Sequence, residues 1–367
     1  MRIALVSFGY GDNPAWLNTF GNLSRELARL GHEVVAVIGR AHSGLPLREQ
    51  SGTATWRRVP RRYWGLSNAS FQFLGFARAA RAEGCEIVHV HFSGEFRWPV
   101  LWMALWCRLS GRRMVLSFND FDNPSAPPLG WPGRVLLGVA LCLSHGVTVN
   151  SRYVGDRVRQ TFRGLAGEPA LVYHGVDSAH YRPREAGPPH FPYVLFTGRL
   201  ASYKGVDILV MAWRELLDRG HRVRLLLTGP DFNPGHIQGL ISLLRLEPWV
   251  SYEGVLPRAE LDRLLADCLF LALPSRQEAL GLSALEAMAC GKPVVASRCG
   301  GLSEIVRHGY NGLLAQPKDL GSLVEVLDRL LRDDELRRQL GQNALRTAGN
   351  FDWRFTASGY HEVYASR

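Results

Sequence analysis

The sequence predicts an α/β protein built from two doubly wound domains. Short apolar runs alternate with stretches of helical periodicity along the chain, the alternation stops once at a proline-rich segment, and it then restarts. The 367 residues are 46% apolar and 21% charged. That is enough for two ordinary cores and unlike disordered, collagen-like or repeat sequences.

The opening run at 3–8 (IALVSF), a loop at 9–14 and a helical pattern closing at Leu30-Gly31 lead into a second strand at 33–38. This is a βαβ unit, whose parallel strands need helices on both faces of the sheet. Further strands are expected at 86–91, 114–118 and 146–150, each after a helix-like segment. Residues 182–192 (RPREAGPPHFP) carry four prolines and a glycine, which regular structure does not tolerate in its interior. The boundary is placed there, with a first domain at 1–185, a linker at 186–192 and a second domain from 193. Beyond it strands are expected at 193–197, 223–228, 250–252, 269–273 and 293–296, and helices at 205–217, 259–266, 282–289 and 319–331. Two such domains would face a central cleft at the carboxyl ends of their strands, where open α/β sheets bind ligands.

Charge is distributed unevenly. Residues 1–190 hold 22 arginines, no lysine and 13 carboxylates, whereas 191–367 are close to balanced. An anionic partner for the first half is one reading and an arginine-rich composition the other. Six cysteines lie far apart with no C-x-x-C pair, which suits a reducing compartment. The apolar run after Met1-Arg2 is too short for a signal peptide, and 98–109 and 135–143 fall below the roughly 18 residues of a membrane span. A cytoplasmic location is expected.

Several chemistries are disfavoured by motif. The first loop, Gly9-Tyr10-Gly11-Asp12-Asn13-Pro14, lacks the dinucleotide fingerprint, no P-loop sequence occurs, and there is no H-E-x-x-H or Cys/His clustering for zinc. A nucleic-acid binder has the charge but no readable motif.

The informative positions lie in the second half. After the strand at 193–197 come Gly198-Arg199-Leu200 and Lys204-Gly205. Gly198 lets the chain turn, and two cations five residues apart can converge on one anionic group such as a diphosphate. A solvated Arg/Lys pair is the plainer alternative. Residues 274–293 (PSRQEALGLSALEAMACGKP) then place Glu278 and Glu286 eight apart about a helix start. Amides near Gly281, Leu282 and Ser283 would offer the positive helix end to a phosphate. Glu286 would share a face with Glu278 if the helix reached that far back, and its apolar neighbours argue for a hydroxyl-bearing partner over solvent.

With Gly300-Gly301-Leu302-Ser303-Glu304 and Asn311-Gly312-Leu313-Leu314, and more weakly with Gly31-His32-Glu33-Val34, 86–91 (EIVHVH) and His174-Gly175-Val176-Asp177, these residues resemble the retaining glycosyltransferases of family 4. The resemblance implies the GT-B fold: two Rossmann-like domains facing a cleft, with a C-terminal helix, here 350–367, crossing back to the first. It implies a nucleotide-diphosphate sugar donor, UDP- or GDP-linked, a saccharide, lipid-linked or small-molecule acceptor, and no metal or other cofactor. Arg199 and Lys204 would neutralise the diphosphate, Glu286 would hold the ribose and Glu278 the transferred sugar. The amides of Gly281, Leu282 and Ser283 would take the distal phosphate, and Gly254-Val255 would border the base. Gly198 would open the phosphate loop. In the first domain the resemblance brings His91, Asn119 and Asp120 to the cleft, and Gly11 and Asn13 to the donor phosphate.

Two positions depart from the family. The first loop lacks the usual Gly pair, and Asn119 stands where a His is common. These departures keep open a nucleotide-sugar-binding protein that has lost transfer; a nucleotide-sugar epimerase is disfavoured by the E-x7-E frame. On the acceptor side, Arg57, Arg58, Arg61, Arg62, Tyr63, Trp64, Phe71, Phe73 and Phe76 mix bases with aromatics, and Trp98, Trp102 and Trp106 share a helical face. That face is expected either to pack a core or to meet an anionic membrane.

Overall fold

In a computed structural model, residues 1–10, 14–40, 45–59, 72–92, 97–120, 130–164, 167–184 and 191–366 are described. The chain divides into two units, Met1–Tyr173 with Trp353–Arg367, and His174–Asp352. The first division thus falls at Tyr173/His174, ahead of the prolines where the sequence placed it. The reason is local. Val176 N donates to Phe351 O at 2.7 Å, Ser178 Oγ donates to Asp352, and Tyr181 OH donates to Glu286 Oε1 at 2.7 Å, so residues 174–181 are tied into the second unit.

The first unit contains β1 (Arg2–Tyr10), α1 (Pro14–Arg29), β2 (Glu33–Gly39), β3 (Arg48–Ser51), β4 (Ala54–Val59), α2 (Gln72–Ala82), β5 (Ile87–Phe92) and α3 (Arg97–Leu109). It continues with β6 (Arg113–Phe118), α4 (Trp131–Leu143), β7 (Gly146–Val149), α5 (Arg152–Thr161) and β8 (Ala170–Leu171). Its eight-stranded sheet runs β3-β4-β2-β1-β5-β6-β7-β8, parallel except for β3 against β4. The strand order reverses between β1 and β5, so the strand ends at Tyr10 and Phe92 flank a topological switch point.

The second unit contains β9 (Tyr193–Thr197), α6 (Val206–Asp218), β10 (Arg224–Thr228), α7 (His236–Leu243), β11 (Val250–Tyr252), α8 (Arg258–Asp267), β12 (Leu271–Leu273) and α9 (Leu282–Ala289). There follow β13 (Val294–Ser297), α10 (Leu302–Ile305), β14 (Gly312–Ala315), α11 (Leu320–Arg332) and α12 (Asp334–Ala348). Its six strands are all parallel in the order β11-β10-β9-β12-β13-β14. β9, β12 and β13 are buried throughout, as a strand covered on both faces must be. The switch point here lies between β9 and β12.

The last helix, α13 (Trp353–Ala365), belongs to the first unit, as the sequence expects. It packs beside α1 over one face of the sheet, where Trp353, Ala357, Tyr360 and Tyr364 join Ile3, Leu5, Phe20 and Leu23 in one core. A buried polar network fixes its register. His89 bonds Tyr364 OH through Nδ1 at 2.6 Å and Ser117 Oγ through Nε2 at 2.5 Å, and Ser117 bonds Thr148. His32 Nε2 meets Nδ1 of His361, on the same helix as Tyr364, at 2.8 Å.

Histidines held low by burial make the fold acid-sensitive. Burial holds the His174 imidazole down at about 4, and burial, the N-terminal ammonium and His361 depress His32. Between the unfolded value of 6.5 and about 4 the unfolded chain therefore binds more protons, so stability present above pH 6.5 is lost as pH falls through that window. For His174 alone the loss is about 3 kcal/mol. Urea unfolding at about pH 7 and about pH 4.5 should show this drop in the wild type and a shallower one in His174→Gln; an equal slope in both would refute the assignment.

Candidate active site

The loops at the second switch point interlock through backbone. After β9, Gly198 turns the chain, a short 3-10 turn spans Ser202–Lys204, and Gly205 (φ 68, ψ 26) starts α6. After β12, Arg276 N donates to Tyr203 O at 2.8 Å and the Arg276 guanidinium reaches Ser202 O and, at 2.7 Å, Asp207 Oδ2. Gly300 and Gly301 close the other side. A Cβ at Gly300 would sit 2.0 Å from Glu278 O, and one at Gly301 2.3 Å from Ala279 O, so the glycines permit a contact that no other residue could.

The sequence-predicted charges meet inside this frame. Lys204 Nζ donates to Glu278 Oε2 at 2.6 Å, and Ser275 Oγ donates to the same oxygen at 3.2 Å. Both side chains are mostly enclosed, with 18% and 14% exposure. Glu278 is therefore the partner of Lys204, a pairing the sequence did not suggest because it assigned the two to different parts of a ligand. Arg199 donates to Tyr203 OH at 3.2 Å and lies 5.5 Å from the centre of the Phe232 ring. The nearby Cys299 thiol donates to Ser275 O at 3.0 Å, and burial followed by the Glu278 charge pushes it up to about 12. It stays protonated.

α9 begins at Leu282, so it does not reach Glu278, and the expected common face with Glu286 does not exist. Glu278 stands in the loop; Glu286 stands one turn into the helix and is held elsewhere. Its Oε1 accepts from Tyr181 OH at 2.7 Å and lies 3.8 Å from Arg258 Nη2. Arg258 also bonds Tyr181 OH and pairs with Asp262 at 2.9 Å. Burial pushes the Glu286 carboxyl up, against the pull of Arg258 and Tyr181. Both contacts use one oxygen, which leaves Oε2 for a hydroxyl donor. Tyr181 and Arg258 were missed because nothing in their spacing links them to Glu286; only the fold brings 181, 258 and 286 together.

At the helix start, Gly281 takes φ 99 without a side-chain cap. The amides of Gly281, Leu282 and Ser283 have no acceptor among the described residues, whereas Ala284 and Leu285 already bond Gly281 O. This is a small anion-binding end. At the sheet's other side Gly254 O accepts from Gly229 N at 2.8 Å and Val255 is exposed, so the loops after β10 and β11 are joined.

In the first unit, His91 on β5 is buried, with Nδ1 3.0 Å from Asn119 Nδ2 at the end of β6. The Asn119 carbonyl accepts from Asn150 at 2.8 Å. These two residues are brought together; Asp120 follows, half-buried, beside them in sequence. Gly11 and Asn13 lie outside the described residues, as do Arg61, Arg62, Tyr63, Trp64 and Phe71. Arg57 pairs with Glu83 at 2.6 Å, a carboxylate it shares with Arg2 and Arg48, and Arg58 pairs with Glu49 at 2.8 Å. Trp98 and Trp102 face outward, contrary to the core reading, and Trp106 is half-buried.

Residues 177–347 match the model of glycosyl transferases group 1, and residues 18–180 match that of glycosyltransferase family 4. A D-inositol 3-phosphate glycosyltransferase of Corynebacterium efficiens is 36% identical over 406 aligned positions, covering 100% of this chain and 95% of its own. Its counterpart from Corynebacterium aurimucosum is 33% identical, covering 100% and 96%. Sucrose-phosphate synthase from Thermosynechococcus elongatus superimposes with a TM-score of 0.82 at 22% identity over 99% of this chain and 98% of its own. Anabaena HepE in complex with UDP-glucose gives 0.78 at 22% identity over 100% of each chain.

Two doubly wound sheets, the second wholly parallel and the first parallel but for one edge strand, together with these relatives define a glycosyltransferase of the GT-B type. Within that class, the chain belongs to glycosyltransferase family 4.

Proposed function

We propose that the protein is a retaining hexosyltransferase that takes its sugar from a nucleoside diphosphate sugar, UDP- or GDP-linked, without a metal ion. The observation that carries this reading is the Lys204–Glu278 pair beside the unsatisfied amides of Gly281, Leu282 and Ser283. A diphosphate entering there takes Lys204 from Glu278 and frees the carboxylate to accept sugar hydroxyls. Arg199 and Lys204 supply the positive charge that the departing diphosphate needs, and Glu286 Oε2 accepts from the ribose. The acceptor hydroxyl attacks the anomeric carbon on the face the diphosphate leaves. The new C–O bond forms as the old one breaks, and a phosphate oxygen takes the acceptor's proton. Positioning and charge stabilisation supply most of the rate.

The acceptor is a saccharide, a lipid-linked sugar or a small polyol. D-inositol 3-phosphate, which gives the corynebacterial relatives their name, is the first to assay. The test of the donor site is thermal unfolding in EDTA with UDP, GDP or ADP in turn. A ligand at about 100 times its Kd adds about 2.7 kcal/mol, so one nucleotide should raise Tm, and Glu286→Ala should remove the rise. No rise with any of them would refute the donor reading.

A further inference from the structure

The helices α3 and α4 pack side by side and turn apolar faces to solvent. Trp98, Trp102 and Leu109 recur on one face of α3 with exposures of 46%, 37% and 87%, and Trp131, Val135 and Val139 on one face of α4 with 78%, 56% and 44%. Surface helices of a globular unit ordinarily put polar residues on that side. Large apolar side chains exposed along two helices packed against each other mark a surface that something covers.

The surroundings say what kind of partner fits. Neither α3 nor α4 contains an aspartate or glutamate, while Arg108 and Arg134 are exposed on them. Arg112 lies 5.0 Å from the centre of the Trp106 ring, extending the basic edge. The His145 imidazole just after α4 is held below its ordinary value by burial and then by Arg113 and Arg108, so positive groups crowd this edge. On the larger scale, the first unit carries 22 arginines against 12 carboxylates, and the second 21 basic residues against 21 acidic ones. The whole formal charge of +10 therefore sits on the unit that bears the patch.

We propose that this outward face of α3 and α4 is a docking surface for anionic phospholipid, seating the first unit on a membrane. Tryptophan at the edge of an apolar patch suits the headgroup boundary, and the arginine rim suits phosphate. A second copy of the chain fits less well, because an isologous pair would set one arginine rim against another with no acid on either helix. The proposal is independent of the donor reading.

Flotation of the full chain with phosphatidylcholine vesicles, with and without a third of phosphatidylglycerol, tests it. Binding is expected to the anionic vesicles, weakened by about 0.5 M salt. Leu109→Asp/Trp131→Asp, at the most exposed positions, should bind at least about tenfold more weakly with an unchanged circular dichroism spectrum. Arg108→Gln/Arg134→Gln neutralises the exposed rim and should also weaken binding to the anionic vesicles. Wild-type protein that stays with neither vesicle at low salt would overturn the proposal. So would undiminished binding by both variants, or equal retention of all forms on polyglutamate, which would reduce the effect to bare charge. Sedimentation showing a dimer that Leu109→Asp/Trp131→Asp dissolves, without vesicle binding, would assign the face to self-association instead.

Discussion

Lys204→Met is expected to lower kcat for sugar transfer by about 10²–10³-fold, the usual cost of losing one group aimed at developing charge. The geometry allows a test that separates chemistry from structure. Lys204 also pairs with Glu278 at 2.6 Å in a mostly enclosed position, so its removal leaves a carboxylate with only Ser275 as donor. That should cost about 1–2 kcal/mol of stability. The double variant Lys204→Met/Glu278→Gln restores a neutral, hydrogen-bonded site and should recover most of that stability. If Lys204 acts on the departing diphosphate, transfer in the double variant falls well below that of Glu278→Gln alone although the fold is repaired. Equal kcat in the double variant and in Glu278→Gln alone would mean that Lys204 merely holds Glu278, and the assigned role would fall. A steady-state transfer assay with the nucleotide-sugar donor and an acceptor reads the first quantity, and urea unfolding the second.

Much of this site was legible in the sequence because its parts are short and local. The strand at 193–197 was placed without error, and the turn after it announced itself through Gly198 and Gly205, whose backbone angles favour glycine. The start of α9 at Leu282 was also legible, since Gly281 interrupts the chain just before an Ala- and Leu-rich run. Other features depended on distance in the chain. Periodicity showed that Trp98 and Trp102 share a face but could not say whether that face looks inward, because burial is decided by α4 and the sheet. The β3–β4 hairpin was missed since β3, Arg48–Ser51, is a polar edge strand with no apolar alternation. Tyr181 and Arg258 were invisible as partners of Glu286 because 105 and 28 positions separate them from it. The domain boundary shows the same limit: prolines mark where regular structure stops, whereas membership of a unit is fixed by contacts such as Tyr181 to Glu286.

Gly205→Ala should be among the most damaging single methyls in the second unit, with those at Gly229 and Gly300. The residue sits at φ 68, which costs an L side chain about 1 kcal/mol by itself. A Cβ there would also lie 2.1 Å from Pro274 O and 3.0 Å from its carbonyl carbon. Both neighbours are backbone, so relief requires the loop carrying Ser275 and Glu278 to move, together with the Arg276–Tyr203 hydrogen bond that joins it to the turn. A total loss of about 3–4 kcal/mol is expected, or roughly 10 °C in Tm for a unit of this size. Two controls divide the effect. Gly220 has φ 93 but nothing within 4 Å of a Cβ, so Gly220→Ala should show the conformational term alone, about 1 kcal/mol. Gly301 lies in the ordinary helical region with a Cβ 2.3 Å from Ala279 O, so Gly301→Ala should show the overlap term alone. Because the overlap at Gly205 displaces Glu278, donor-induced stabilisation should shrink in Gly205→Ala and survive in Gly220→Ala. Equal losses of stability in these two variants would mean that the loops do not approach as closely as the geometry requires.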